Sequence, residues 1–132
     1  MGFTYRIDPD AQLLLIRGDG TISQRERLEA LRTWTRDPAY KTCTAALCDL
    51  TAARSTPRLS DVYELIQVMR EDRSGRGPAK LAMVTSNPIA LGIGRVFQDL
   101  VHLGGFALQV RVFRHRAAAW TWLRPDLDLP PF

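Results

Sequence analysis

Lysine is almost missing from this chain: Lys41 and Lys80 stand against 16 arginines, and the formal net charge is +4. The arginines are spread from Arg6 to Arg124. A nucleic-acid partner needs a clustered basic footprint, so it is not expected here. Cysteine and histidine are as scarce, two of each. Cys43 and Cys48 are too few for a disulfide-stapled secreted domain, and free thiols in a reducing, cytoplasmic compartment are the expectation. A structural zinc site takes about four nitrogen or sulfur ligands. Cys43, Cys48, His102 and His115 show no paired spacing, so neither a metal nor a cofactor is expected. Long apolar runs are absent too. The longest purely aliphatic stretch, residues 13–16, is far too short to span a bilayer. The N-terminus has no charged-then-apolar signal region, and Arg6 stands where a myristoylation signal has Ser or Thr.

What is present suits one domain. The 132 residues are 45% hydrophobic and 24% charged, enough apolar material for a single sizeable core. Residues 3–8 alternate weakly, and Asp8-Pro9-Asp10-Ala11 separates them from a second strand over 12–17, which predicts an antiparallel hairpin. Residues 13–16 are continuously apolar, so that strand should be covered on both faces. Gly18-Asp19-Gly20 is predicted to end it. Ser23 then opens a helix, with Glu26 three residues on in a capping-box pattern and Leu28, Leu31 and Trp34 or Thr35 as its apolar stripe. Asp37-Pro38 stops that helix.

A buried strand over 45–50 follows, then a polar segment over 51–59. Ser60 is the predicted cap of a second helix, in which Val62, Leu65, Ile66 and Met69 give the strongest helical period of the chain. Residues 81–85 form another strand. Ser86-Asn87-Pro88 caps a third helix whose expected core face is Ile89, Ile93, Val96, Phe97 and Leu100. A strand over 108–113 and a helix over 117–123 complete the domain, 1–124, leaving a Pro-rich, extended tail over 125–132. The expected fold is α/β: a mixed five-stranded sheet with four helices in the order β-β-α-β-α-β-α-β-α. Spacing leaves open whether the helices cover one sheet face or both.

This order, together with several stretches, resembles the STAS-like single-domain bacterial family. The stretches are Tyr5-Arg6-Ile7-Asp8-Pro9 with Leu14-Leu15-Ile16-Arg17-Gly18, then Cys48-Asp49-Leu50-Thr51, residues 90–97, and Val112-Phe113-Arg114 leading to Ala119-Trp120-Thr121-Trp122-Leu123. The resemblance implies the fold of anti-sigma-factor antagonists, which is related to that of CRAL-TRIO lipid-binding domains. In such antagonists a partner kinase phosphorylates a Ser or Thr after the central strand. Thr51, Ser55 and Thr56 lie in the corresponding region and are the candidate phosphorylation residues.

Fold supplies no activity by itself, so individual residues were weighed. Asp49 ends a central parallel strand, where ligands of open α/β sheets bind, although an Asp there also caps turns. With Thr51, Ser86, Asn87 and Arg95 it makes the candidate ligand or partner site, Arg95 sharing a helix surface with Leu91, Gln98 and His102. Gly92 and Gly94 lie inside a helical pattern and point to close packing of that helix on a neighbour. Trp34, Trp120 and Trp122 read as packing residues. Arg70, Arg73, Arg76 and Lys80 border a mixed-charge loop. No catalytic constellation appears, so no catalytic residue is assigned and the expected role is a non-enzymatic regulatory or protein-interaction module. The alternative is a carrier of a small apolar molecule or lipid, with its pocket at the C-terminal ends of the central strands. An enzyme built on Asp49, Ser86 and Arg95 ranks third. The apolar face of the third helix, including Val101 and Leu103, suits either a pocket or a homodimer contact.

Overall fold

The computed structural model describes residues 2–72 and 75–128. The chain runs β1 (Gly2–Asp8), β2 (Leu13–Gly20), α1 (Gln24–Arg36), a 3₁₀ turn (Pro38–Thr42), β3 (Ala45–Ala53), α2 (Leu59–Met69), β4 (Lys80–Val84), α3 (Pro88–Leu103), β5 (Gln109–Phe113) and α4 (Arg116–Leu123). Its five strands form one sheet in the order β1-β2-β3-β4-β5. The β1–β2 hairpin is antiparallel and every other pair is parallel. The expected α/β architecture is therefore the observed one, with the 3₁₀ turn added.

Strand order answers the question that spacing left open. When each parallel strand is added on the same side of the last, right-handed crossovers put all the connecting helices on one face. The side chains agree. Leu14, Ile16, Ala46 and Cys48 pack toward Trp34 of α1, and Leu81, Met83 and Val110 pack with Ile66 of α2 and Val101 of α3. Leu13, Leu15, Leu47, Ala82 and Val84 point the other way, onto Ala119, Trp120 and Leu123 of α4. Three helices cover one face and α4 alone covers the other. The run 13–16 is buried throughout, because β2 is covered from both sides.

Both β2 and β3 run past the predicted ends. Gly18-Asp19-Gly20 does not end β2; the register shifts between Arg17 and Asp19, after which Asp19 pairs with Ala52 and Gly20 with Ala53. A bulge absorbs the glycines and the ladder resumes. Helix α1 has the full capping box between Ser23 and Glu26. In α2 the cap is Arg58, not Ser60: the Asp61 carboxylate accepts the Arg58 backbone N–H at 2.9 Å, so Ser60 falls inside the first turn.

The expected core face of α3 is met in part. Phe97 and Leu100 pack beside Val101, but Ile89 is 72% exposed and Leu103 80% exposed, while Leu91, Gly94 and Val101 are buried. The side nearest β5 runs through 94, 98 and 101, which a search for apolar residues passes over because it contains a glycine and a glutamine. Gly94 sets it: a Cβ there would come 3.0 Å from Val112 of β5. Gln98 then accepts the Val112 N–H at 3.2 Å, giving the edge strand a partner for an outward backbone donor. The shared surface expected for Arg95 is not formed, since Leu91 is buried and Gln98 turns to the sheet. Close approach accounts for Gly94 but not for Gly92, which has open space around it. Residues 125–128 are not extended: Leu127 turns back, and its carbonyl accepts the Trp120 indole N–H at 2.7 Å. The remainder of the predicted tail and Arg73 lie outside the described residues.

Candidate functional site

Strand β3 presents unequal side chains to its two faces. Leu47 fills the α4 side, whereas Ala46 and Cys48 face the three helices and reach only a short way from the sheet. Above them, Leu65 of α2 and Phe97 of α3 do not fill the space over these short side chains, and a void remains. It is a cavity of about 170 Å³, floored by Ile16, Ala46, Cys48 and Met83 and roofed by Leu31, Trp34, Leu65 and Phe97. A second cavity of about 90 Å³ adjoins it toward the C-terminal ends of the strands, with Thr56, Thr85 and Asn87 among its lining residues. Leu50, Pro57, Leu65, Met83 and Phe97 line both.

Among the described residues that line the larger cavity, one is charged, Arg27. On α1 it precedes Leu31 by four positions and Trp34 by seven, so it lies on the inward stripe. Its Nη1 donates to Gln24 Oε1 at 3.3 Å and its Nη2 to Ser55 Oγ at 3.5 Å. Burial pulls its pKa below the ordinary guanidinium value, while the charges of Asp61 and Glu26 act in the opposite direction. Cys48, on the floor, is a thiol that burial pushes up to about 12, with the Asp49 carboxylate adding to the shift. It stays protonated at neutral pH and is a poor nucleophile. Tyr40 at the cavity's edge is likewise raised to about 12, chiefly by burial. Its ring fills the space a side chain at Gly77 would need, and Gly77 has φ +121°.

The sequence-predicted residues do not converge on this void. Asp49 faces α4; its Oδ1 accepts both the backbone N–H and the hydroxyl of Thr51, at 2.9 and 2.6 Å, and its Oδ2 lies 3.9 Å from Arg116 Nε. Asn87 caps α3 by accepting the N–H groups of Ile89 and Ala90 at 2.9 and 3.2 Å. Ser86 and Arg95 are exposed. Ser55 is engaged twice by Ile22, accepting its N–H at 2.8 Å and donating to its carbonyl at 2.9 Å. Thr56 is half-buried at the smaller cavity, and Thr51 is exposed. Trp34 meets Phe3 and Tyr5 edge-on, and Trp122 packs on Phe113. Arg70 lies over Phe106 and Lys80 over Trp122, so these two loop cations serve different rings. Among the described residues no group of three His, Cys, Asp or Glu could hold a metal ion. No described helix is long and apolar enough to cross a membrane.

Among solved structures, the chain is similar to an uncharacterised protein of the DUF3478 family from Shewanella loihica, described as having a SpoIIAA-like fold. The match covers 92% of this chain and 94% of that one, with a TM-score of 0.60 and 15% identity. The fold is STAS-like. No protein-family model and no curated protein matches the chain. At that identity the likeness speaks for the STAS-like scaffold alone, and the site has to be argued from its own residues.

Sequence reasoning missed Arg27, the charged residue in the void. A signal existed: an arginine at helical spacing from Leu31 and Trp34, where the pattern wants an apolar side chain. The two cavities were not legible, because they depend on how side chains of α1, α2 and α3 meet over the sheet.

Proposed function

We propose that this STAS-like chain is a non-enzymatic regulatory module whose signal is a small apolar molecule bound between the sheet and α2. One observation carries the reading: a cavity of about 170 Å³ lined almost wholly by apolar side chains. An engineered apolar cavity of roughly 150 Å³ stays dry and takes up benzene. The void here is of that scale and adjoins a second one. Binding is favoured over catalysis because the thiol on the cavity floor, Cys48, is held protonated. Two free thiols fit a reducing, cytoplasmic setting. Of the three hydroxyls considered for phosphorylation, exposed Thr51 is the most accessible, while modification of Ser55 would break both of its bonds to Ile22.

The test is native mass spectrometry of the purified protein, followed by extraction. The expected result is a retained or exchangeable apolar molecule that Ala46→Leu, which fills the floor, excludes while circular dichroism stays unchanged. A wild-type protein that neither retains nor takes up any apolar molecule rejects the reading.

A second reading, a protein-contact surface, is favoured by a separate observation. Leu59 and Tyr63 of α2 and Ile89 and Leu103 of α3 are all exposed. Ile89 and Leu103 lie two heptads apart, on one side of α3. The same spectra report self-association: a homodimer that Ile89→Glu with Leu103→Glu dissolves supports it, and a monomer at all concentrations rejects a homodimer.

A further inference from the structure

Arg27 is costly where it stands. It occupies an inward position of α1 beside Leu31 and Trp34 and is about half-buried. A guanidinium taken out of water destabilises the fold unless an anion or a full set of acceptors compensates it. Its present acceptors are neutral and distant, Gln24 Oε1 at 3.3 Å and Ser55 Oγ at 3.5 Å. The Ser55 hydroxyl accepts from and donates to Ile22 at 2.8 and 2.9 Å, and its second lone pair faces Arg27 at a long 3.5 Å. Gln24 is held by its Nε2, which donates to the Asp61 carbonyl at 2.9 Å, leaving its Oε1 to Arg27. The carboxylates near Arg27 do not pair with it among the described residues. Asp61 accepts the Arg58 N–H at 2.9 Å and lies 3.8 Å from the Arg58 guanidinium, and Glu26 accepts the Ser23 N–H in the capping box at 3.1 Å. Among the described residues, the protein groups that meet the five N–H donors of Arg27 are two neutral acceptors at long range.

We propose that the ligand of this cavity is an apolar monocarboxylate, its hydrocarbon part lying over Ala46 and Cys48 and its carboxylate paired with Arg27. The inference rests on the cavity being a binding site and names the chemistry of what fills it. The guanidinium fork matches a carboxylate in two parallel hydrogen bonds, which neither an amide nor an alcohol reproduces. The main cavity of about 170 Å³ and its neighbour of about 90 Å³ limit the hydrocarbon part to a single ring or a medium-length chain. Alkyl and aryl acids share this chemistry, and the test separates them.

Octanoate, octanamide, phenylacetate and phenylacetamide are titrated into the full chain by calorimetry, against wild type and R27M. The expected result is that at least one acid binds about tenfold or more tightly than its own amide, the margin of a charge-assisted pair over a neutral one. Which acid does so tells the alkyl source from the aryl one. R27M should then lower that acid to the level of its amide while the amide's affinity changes by less than about twofold, as expected for a residue that reads charge alone. Equal binding of acid and amide to wild type overturns the carboxylate assignment and leaves the cavity as a site. A preference that survives in R27M overturns the role of Arg27. Failure of all four ligands to bind overturns this inference, while the cavity reading is decided separately by the mass spectrometry above. Should R27M fail to fold, the wild-type comparison of acid with amide still decides the ligand's charge.

Discussion

The two faces of the sheet are built from the same strands and packed differently. Toward α4, Leu13, Leu15, Leu47, Val84, Ala119, Trp120 and Leu123 close into one buried cluster, with half-buried Ala11, Phe113 and Trp122 packed on it. Toward the three helices the buried residues split into two clusters, one under α1 and one between α2, α3 and β5; Leu14, Ile16, Ala46 and Cys48 of the first line the main cavity, as do the half-buried Met69, Phe97 and Leu108 packed on the second. α1 has no fully buried residue. The α4 face reads as the part that holds the domain together, and the other as the part that can take something in. Close-packed interiors contain few voids larger than a water molecule, so a void of this size is informative.

The sharpest way to break the comparison uses adjacent alanines of β3. Ala45 and Ala46 are both 3% exposed and point to opposite faces. Ala45→Leu forces extra atoms into the closed cluster and should cost about 1–3 kcal/mol in urea unfolding. Ala46→Leu should cost less than about 1 kcal/mol, or stabilise, because space is waiting for it. Equal penalties would mean that the faces are packed alike.

A smaller, pH-dependent difference follows from Cys48 and Tyr40, both beside the cavity. Cys48 rises from the ordinary 9.0, and Tyr40 from 10.0, each to about 12. A raised pKa means that the folded state holds the proton more tightly than the unfolded state does. Their contribution is thus fully present below about pH 9 and is lost as the pH climbs toward 12. Thermal melts from pH 8 to 11 should show steady stability and then a decline, shallower in Cys48→Ala. An identical decline in wild type and variant would exclude Cys48 as a cause.

Much of the scaffold was legible because its signals are local. Ser23 with Glu26, the apolar run 13–16, and Asn87-Pro88 before a helical period each state an element and its start. Strand order with one crossover hand then fixes which helices share a face. The site was less legible because it is made of absences and exceptions: two small residues on β3, space left unfilled between the helices and the sheet, and an arginine in an apolar stripe. The strand-end rule led to Asp49, but alternation along β3 turns that residue to the α4 side, where Thr51 and Arg116 engage it. In α3 the expected Phe97 and Leu100 pack inward, while the contact with β5 was hidden because it runs through Gly94 and Gln98, residues that carry no hydrophobic signal.

Xenon uptake followed by methyl NMR tests the asymmetry most directly, because a small apolar atom enters a dry void without needing to match a ligand. Under pressure, the methyl signals of Leu14, Leu31, Leu65 and Met83 should shift in a saturable way, while those of Leu13, Leu15, Leu47 and Val84 stay in place. Saturable shifts on both faces, or on neither, would contradict the account.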